Sequence, residues 1–333
     1  MLVLGPKIPV YRSLNFGGKL RALVFIGIFA ALVVIYRFAY LFDNTIPLYT
    51  KAPAEPITIT ATMTVTKTTA SVSTITQTTN PTSTLDPKKL AFMVETRSLP
   101  HLPLQLSHMA SIIPPEWTFK FMGSNASIHY LLSFPHLRDL IASKKLTLLG
   151  LPPRWSVSSR ESISQMFTDP ALYELLVPAE HLLVFQPDSI FCTKSRKTLN
   201  DFLKYDWIGA PWSATSKYGG NGGLSLRRVS SILQVLKKES RTAHHGELED
   251  LWLSNRLAKL QGATIANATV SKSFSVESQW DEAPLGFHIG WLGVHHEQIW
   301  DKPHYVEHIM DYCPEVKIIL GMKLDNDKPH GVS

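Results

Sequence analysis

Hydrophobic positions fall into three regimes along this chain. Residues 22–36 are unbroken apolar sequence, Arg37 interrupts, and 38–42 resume the run. That is a span of roughly 20 residues, enough to cross a bilayer as a helix. Residues 57–85 are a different kind of sequence, dominated by Thr with some Ser and very few charges. From about Lys88 onward, short apolar runs alternate with stretches of helical period. The runs at 90–94, 117–122, 146–149 and 182–185 predict strands, and 104–113 and 128–143 predict helices. Strands alternating with helices imply an α/β fold on a mostly parallel sheet flanked by helices.

The second half of the chain carries two further helix patterns. Val229, Ile232, Leu233 and Leu236 follow the i, i+3, i+4, i+7 spacing, so the preceding Gly219-Gly220-Asn221-Gly222-Gly223 loop is expected to feed an amphipathic helix. Leu253, Leu257 and Leu260 predict another, with Glu249 and Asp250 in or near its first turn. Ligands of parallel sheets gather at the carboxyl ends of the strands. That rule places Glu95, Arg97, Asn125 and Asp188 on one rim.

Charge changes the picture mainly at the N-terminus. Lys7, Arg12, Lys19 and Arg21 precede the apolar span and Asp43 follows it. The bias of basic residues to the cytoplasmic side predicts a single-pass type II protein: 1–21 cytosolic, 22–42 a signal anchor, and the remainder in the lumen of the secretory pathway, with the Golgi as the expected station. A cleaved signal peptide is the rival reading, with a long n-region and no small-x-small site directly after the span against it. Residues 43–88 then read as a Thr/Ser-rich, disordered, O-glycosylated stem, although the alternation at 58–66 also fits an edge strand. The domain proper is expected over 89–320, with a tail at 321–333. Net charge is +6, yet no basic block alternates with aromatics, so nucleic acid is excluded as a partner. Cys192 and Cys313 are the two cysteines. A luminal compartment allows them to pair, and two buried thiols fit equally well.

Candidate chemistry clusters at strand ends. Asp188 ends an apolar run and is placed to hold a divalent cation, Mn²⁺ or Mg²⁺, or to act beside donor phosphates; the plain alternative is a turn cap. Gln186 stands two residues earlier and offers a neutral amide oxygen. His288, between Gly286 and Gly290, offers a nitrogen ligand for the same ion. Four glycines around Asn221 permit positive φ and close backbone approach, so backbone N–H groups near Asn221, Gly222 and Gly223 are expected to meet a sugar. Glu249 and Asp250 supply a candidate base, against the commoner reading of acids placed at a helix start. Trp212 follows Gly209-Ala210-Pro211 and is expected to stack on a sugar ring. Asn125 and Asn267 open N-glycosylation triplets.

Val94-Glu95-Thr96-Arg97, Gly123-Ser124-Asn125, Val184-Phe185-Gln186-Pro187-Asp188, Tyr205-Asp206-Trp207-Ile208-Gly209-Ala210-Pro211-Trp212, Gly220-Asn221-Gly222-Gly223-Leu224-Ser225-Leu226-Arg227 and Glu249-Asp250 occur in that order. Together they resemble a fungal family, a domain of unknown function with a glycosyltransferase-like fold of the GT-A (Rossmann-like) type. The layout is also similar to fringe-like and β1,3-galactosyltransferase-like enzymes. The resemblance implies a nucleotide-sugar donor, a glycan or glycoprotein acceptor, and inversion with Asp250 as base and Glu249 in support. Glu95, Arg97, Asn125, Gln186 and Asp188 would face the donor. Asp188 falls at the last acid of an Asp-x-Asp motif, and Gln186 replaces the first. That replacement motivates the alternative, an inactive glycan- or nucleotide-sugar-binding membrane protein.

Overall fold

A computed structural model of the chain describes residues 85–290 and 296–320. The chain divides into two units, Met1–Thr76 and Gln77–Ser333, and all described residues belong to the second. The expected cytosolic segment, the signal anchor, nearly all of the stem and the C-terminal tail lie outside the described residues. Among the described residues no helix is long and apolar enough to cross a membrane.

The four predicted strands are present as β1 (Lys89–Val94), β2 (Thr118–Gly123), β3 (Leu146–Gly150) and β4 (His181–Phe185). They pair in parallel, β3 with β2, β2 with β1 and β1 with β4. The near-continuous apolar sequences of β1 and β4 reflect burial on both faces, the signature of a covered parallel sheet, while the edge strand β3 is only partly buried. Alternate residues of β1 show the two-faced burial directly. Ala91 and Met93 enter one core cluster, while Leu90 and Phe92 enter the other. The sheet is thus the middle of three layers.

Five short strands complete the architecture: β5 (Ser189–Phe191), β6 (Trp207–Gly209), β7 (Leu224–Arg228), β8 (Ser275–Val276) and β9 (Gly286–His288). The main sheet has six strands in the order β3-β2-β1-β4-β7-β6. β7 pairs antiparallel with both neighbours, so it alone runs against the rest. β5, β9 and β8 form a second, three-stranded sheet. The runs of two or three residues in β5, β6, β8 and β9 are too short to show a period, so sequence pattern did not reveal them.

Two expectations are corrected. The glycine loop does not feed a helix directly. It enters β7, and helix Val229–Lys238 follows that strand. The single helix expected over 128–143 is two, Asn125–Leu132 and Pro135–Ala142. Pro135 stands in the first turn of the second and has no N–H to continue the first. Of the two states left open for the cysteines, the structure has the disulfide: Cys192, just after β5, is bonded to Cys313, at the end of helix Pro303–Tyr312.

Candidate functional site

The site begins where β4 turns into β5 through Gln186-Pro187-Asp188. Gln105 Nε2 donates to the carbonyls of Gln186 (2.9 Å) and Ser189 (2.6 Å), and Ser189 Oγ donates to Gln186 O (2.8 Å). The turn is therefore capped by Ser189 and Gln105, which leaves the Asp188 carboxylate for other work. The β5–β9 register sets Ser189 opposite His288. The Ile289 N–H donates to Asp188 O (2.9 Å). Asp188 Oδ1 then lies 3.2 Å from His288 Nε2. On the far side of the ring, His288 Nδ1 lies 3.0 Å from Glu277 Oε1, and His296 Nε2 lies 3.4 Å from the same oxygen.

His288 is buried between two acids. Burial alone would disfavour its imidazolium, but Asp188 and Glu277 outweigh burial and raise its pKa well above the usual value. The two acids respond in kind. Burial works against their charge, while the imidazolium holds Asp188 below the ordinary range and Glu277 at about 2. Neither His288 nitrogen has an aligned hydrogen bond.

Next comes the glycine loop. Positive φ occurs at Gly219 (99°) and Gly220 (145°). Gly222 and Gly223 are required for a different reason, close approach. A Cβ on Gly223 would collide with His288 Nε2 and with Gln186 Oε1, the latter at 2.5 Å. A Cβ on Gly222 would run into Glu249 Oε1, Arg227 Nη2 at 2.9 Å and Asp250 Cβ at 3.1 Å. The two glycines form a thin partition, with the Asp188–His288 pair on one side and Asp250 on the other.

The loop's N–H groups from Asn221 to Gly223 are all engaged. Asn221 donates to Ala210 O (2.8 Å), Gly222 to Asp250 Oδ2 (3.1 Å) and Gly223 to Asn221 Oδ1 (2.6 Å). Asn221 Nδ2 donates to Glu277 Oε1 (3.0 Å). This corrects the expectation that these N–H groups face a sugar. They hold the loop to itself, and Asn221 serves as a strut.

Asp250 and Glu249 part company in the structure. Both stand in the first turn of helix Glu249–Leu257. Asp250 is half-buried and accepts from the N–H groups of Gly222 and Leu251 (2.8 Å). Burial raises its pKa above the usual aspartate value, against those two bonds. Such a carboxylate is a better proton acceptor than a free one. Glu249 is buried and receives both arms of Arg227, at 3.0 and 3.1 Å. Burial raises the Glu249 carboxyl and Arg227 opposes the rise. Arg227 is wholly buried, faces the Trp207 and Phe167 rings, and donates to Gly222 O (3.0 Å) and Ser225 Oγ (2.9 Å). Both Glu249 oxygens are thus taken up by Arg227, which sets it apart from Asp250.

The other predicted residues divide. Glu95 and Arg97 pair through two side-chain bonds of 3.0 and 2.8 Å, and the Arg97 N–H donates to Glu95 as well (2.7 Å). His101, whose Nε2 lies 3.1 Å from Pro187 O, feels the charges of Glu95, Asp188 and Arg97 together, so that pair borders the Asp188 turn. Trp212 is 36% exposed and lies against Gly219, where a Cβ would come within 2.6 Å of its Cζ3. Asn125 and Asn267 are exposed at two separate helix starts, and Asn267 Oδ1 caps its helix by accepting from Val270 N–H (3.1 Å). Neither is in the cluster. Glu277, Arg227 and His296 are in it, and sequence reasoning gave them no role. The expectation that the glycine loop leads straight into a helix gave no sign that Arg227 stands in a strand.

The residues fit a cation only in part. Among the described residues, no three His, Cys, Asp or Glu side chains are arranged to hold a metal ion. Two features favour one nonetheless: the unaligned nitrogens of His288, and the space that Gly223 leaves beside His288 Nε2 and Gln186 Oε1. Asp188, His288 and the Gln186 amide are an incomplete ligand set that further oxygens would have to finish.

A comparison with curated proteins finds no match. Among solved structures, the chain is similar to the mannosyltransferase PcManGT from Pyrobaculum calidifontis, in complex with GDP-Man and Mn²⁺, at 10% identity and a TM-score of 0.41 over 73% of this chain and 72% of that one. It is also similar to the glycosyltransferase GlyE of Streptococcus pneumoniae TIGR4, at 14% identity and a TM-score of 0.39 over 71% of this chain and 63% of that one. For the mannosyltransferase Ktr4p of S. cerevisiae, in complex with GDP, identity is 10% and the TM-score 0.29, and the match spans half of each chain. Residues 145–288, the stretch that supplies Gln186, Asp188, the glycine loop, Arg227, Asp250, Glu277 and His288, match the family described as "Protein of unknown function (DUF5672)".

Proposed function

We propose that this protein is a glycosyltransferase that moves a sugar from a nucleotide-sugar donor to a hydroxyl of a glycan or glycoprotein. One observation carries the reading. A carboxylate with a raised pKa, Asp250, and an acid–imidazole pair, Asp188 and His288, stand on opposite sides of the Gly222–Gly223 backbone. Sugar transfer needs both: a base for the acceptor hydroxyl, and a site that tolerates the negative charge gathering on the leaving diphosphate. Asp250 takes the acceptor proton on one side. On the other, Asp188, His288 Nε2 and the Gln186 amide oxygen would hold a divalent cation, which when bound supplies positive charge next to the diphosphate. Arg97 borders the same turn and adds a second positive group. Inversion, a type II membrane anchor and residence in the Golgi lumen belong to this proposal too, the last two on the apolar span at 22–42 and its flanking charges.

A panel of nucleotide sugars, screened by thermal shift on the full chain with Mn²⁺ and with EDTA, tests it. A donor that binds the folded state raises the melting temperature. One nucleotide sugar should do so, and its sugar should then be transferred or slowly hydrolysed. Binding with no turnover for any acceptor would favour the inactive binding protein that Gln186 suggests. No binding at all would end the proposal.

A further inference from the structure

The mechanism above leaves Glu277 without a task. It is 6% exposed and directly follows the two-residue strand β8. One of its oxygens, Oε1, gathers groups from three separate parts of the chain. They are Asn221 Nδ2 at 3.0 Å, His288 Nδ1 at 3.0 Å and His296 Nε2 at 3.4 Å. Asn221 in turn holds the Gly223 N–H, and Gly223 is the residue whose missing side chain makes room beside His288 Nε2.

We propose that Glu277 is a positioning residue, which fixes the rotation of the His288 ring and the height of the glycine loop with one carboxylate oxygen. The inference rests on the glycosyltransferase reading for its purpose, but its geometry does not. A buried imidazole between two carboxylates can swing unless both ring edges are held. Glu277 takes the Nδ1 edge and turns Nε2 toward Asp188 and Gln186. The same oxygen holds the Asn221 amide, so the ring and the loop cannot move apart. An imidazole that gives Nε2 to a cation keeps its proton on Nδ1, and Glu277 is the acceptor in place there. Asp250 receives the N–H of Gly222, which lies between Asn221 and Gly223, so the position of the base depends on Glu277 through three hydrogen bonds.

The test uses the full chain with Glu277→Gln, Glu277→Ala and Asn221→Ala, each checked by circular dichroism for an intact fold. Free Mn²⁺ is titrated by electron paramagnetic resonance in the presence of GDP and, separately, UDP. Hydrogen exchange of peptides covering 219–224 is followed with no ligand. Glu277→Ala should weaken Mn²⁺ binding by about 10- to 100-fold, and Glu277→Gln, which keeps an acceptor oxygen, by less. Exchange in the loop should rise about tenfold or more in Glu277→Ala and Asn221→Ala, with the strands β1 and β4 unchanged. Unchanged loop exchange in a folded Glu277→Ala overturns the proposal. So does unaltered Mn²⁺ affinity in that variant when the parent chain binds the ion. If the parent binds no Mn²⁺ with either nucleotide but the loop still loosens, the cation reading fails and the role of Glu277 stands.

Discussion

Arg227 and Glu249 meet in a two-armed ion pair in the interior, at 3.0 and 3.1 Å, directly behind Gly222. The pair explains why two adjacent acids at a helix start behave so differently. Glu249 is spent on the guanidinium, and Asp250, half-buried, accepts from the Gly222 and Leu251 N–H groups instead. Glu249→Gln removes the anion that faces a wholly buried cation. The expected cost is about 3–5 kcal/mol, read from chemical denaturation. The double variant Arg227→Met/Glu249→Gln should recover part of it. A loss below about 1 kcal/mol would mean that the pair carries little charge in the folded state.

Asp250→Asn should reduce transfer by about 10²–10⁴-fold, the range that a positioned base supplies, with donor binding nearly unchanged. The pH profile gives a second check. A base works when ionised, so kcat/KM should fall as pH drops through the Asp250 pKa. Because burial raises that pKa, the fall should begin above the ordinary aspartate range. The limb should vanish from the residual activity of Asp250→Asn. A limb that persists there belongs to another group.

The adjacent glycines should fail in different ways. In Gly223→Ala the new methyl meets His288 and Gln186, so loss of cation and diphosphate affinity should exceed loss of stability. In Gly222→Ala it meets the Arg227–Glu249 pair, so unfolding should come first, at about 1–3 kcal/mol for an overpacked position. Paired melting and calorimetric titration of the two variants separates the outcomes. Equal effects on stability would contradict the partition described above.

Cys313→Ser should lower stability by about 2–5 kcal/mol, since the bond closes a loop of 121 residues. The matching observation is a lower melting temperature under reductant for the parent chain and none for the variant. An unchanged melt would show that the link constrains nothing in the unfolded chain.

What the sequence revealed and what it hid follow from the reach of each signal. β1 and β4 were legible because strands buried on both faces are written as long apolar runs. Helix Val229–Lys238 was legible from its period. β5 and β9 were not, and with them went the pairing that brings His288 to Asp188 across a separation of 100 residues in sequence. His288 could be suspected from its flanking glycines, but its neighbour Glu277 is a lone acid with no local pattern around it. Arg227 was not marked as a strand residue, and nothing local says that an arginine will lie wholly buried. Its partner sits 22 residues away, and only the folded chain introduces them.

The saturation of the glycine loop has a consequence for how this protein can change. Every N–H from Asn221 to Gly223 is bonded within the protein, so these three donors serve as a frame and not as contacts for a ligand's hydroxyls. On the proposed reading, discrimination among sugars falls to side chains beside it, such as the exposed Trp212 against Gly219. Such positions can be exchanged without disturbing the bonds that hold Asp250 and His288. Substrate preference is thereby separable from the chemical apparatus, and selection or laboratory redesign can alter the first while the second stays fixed.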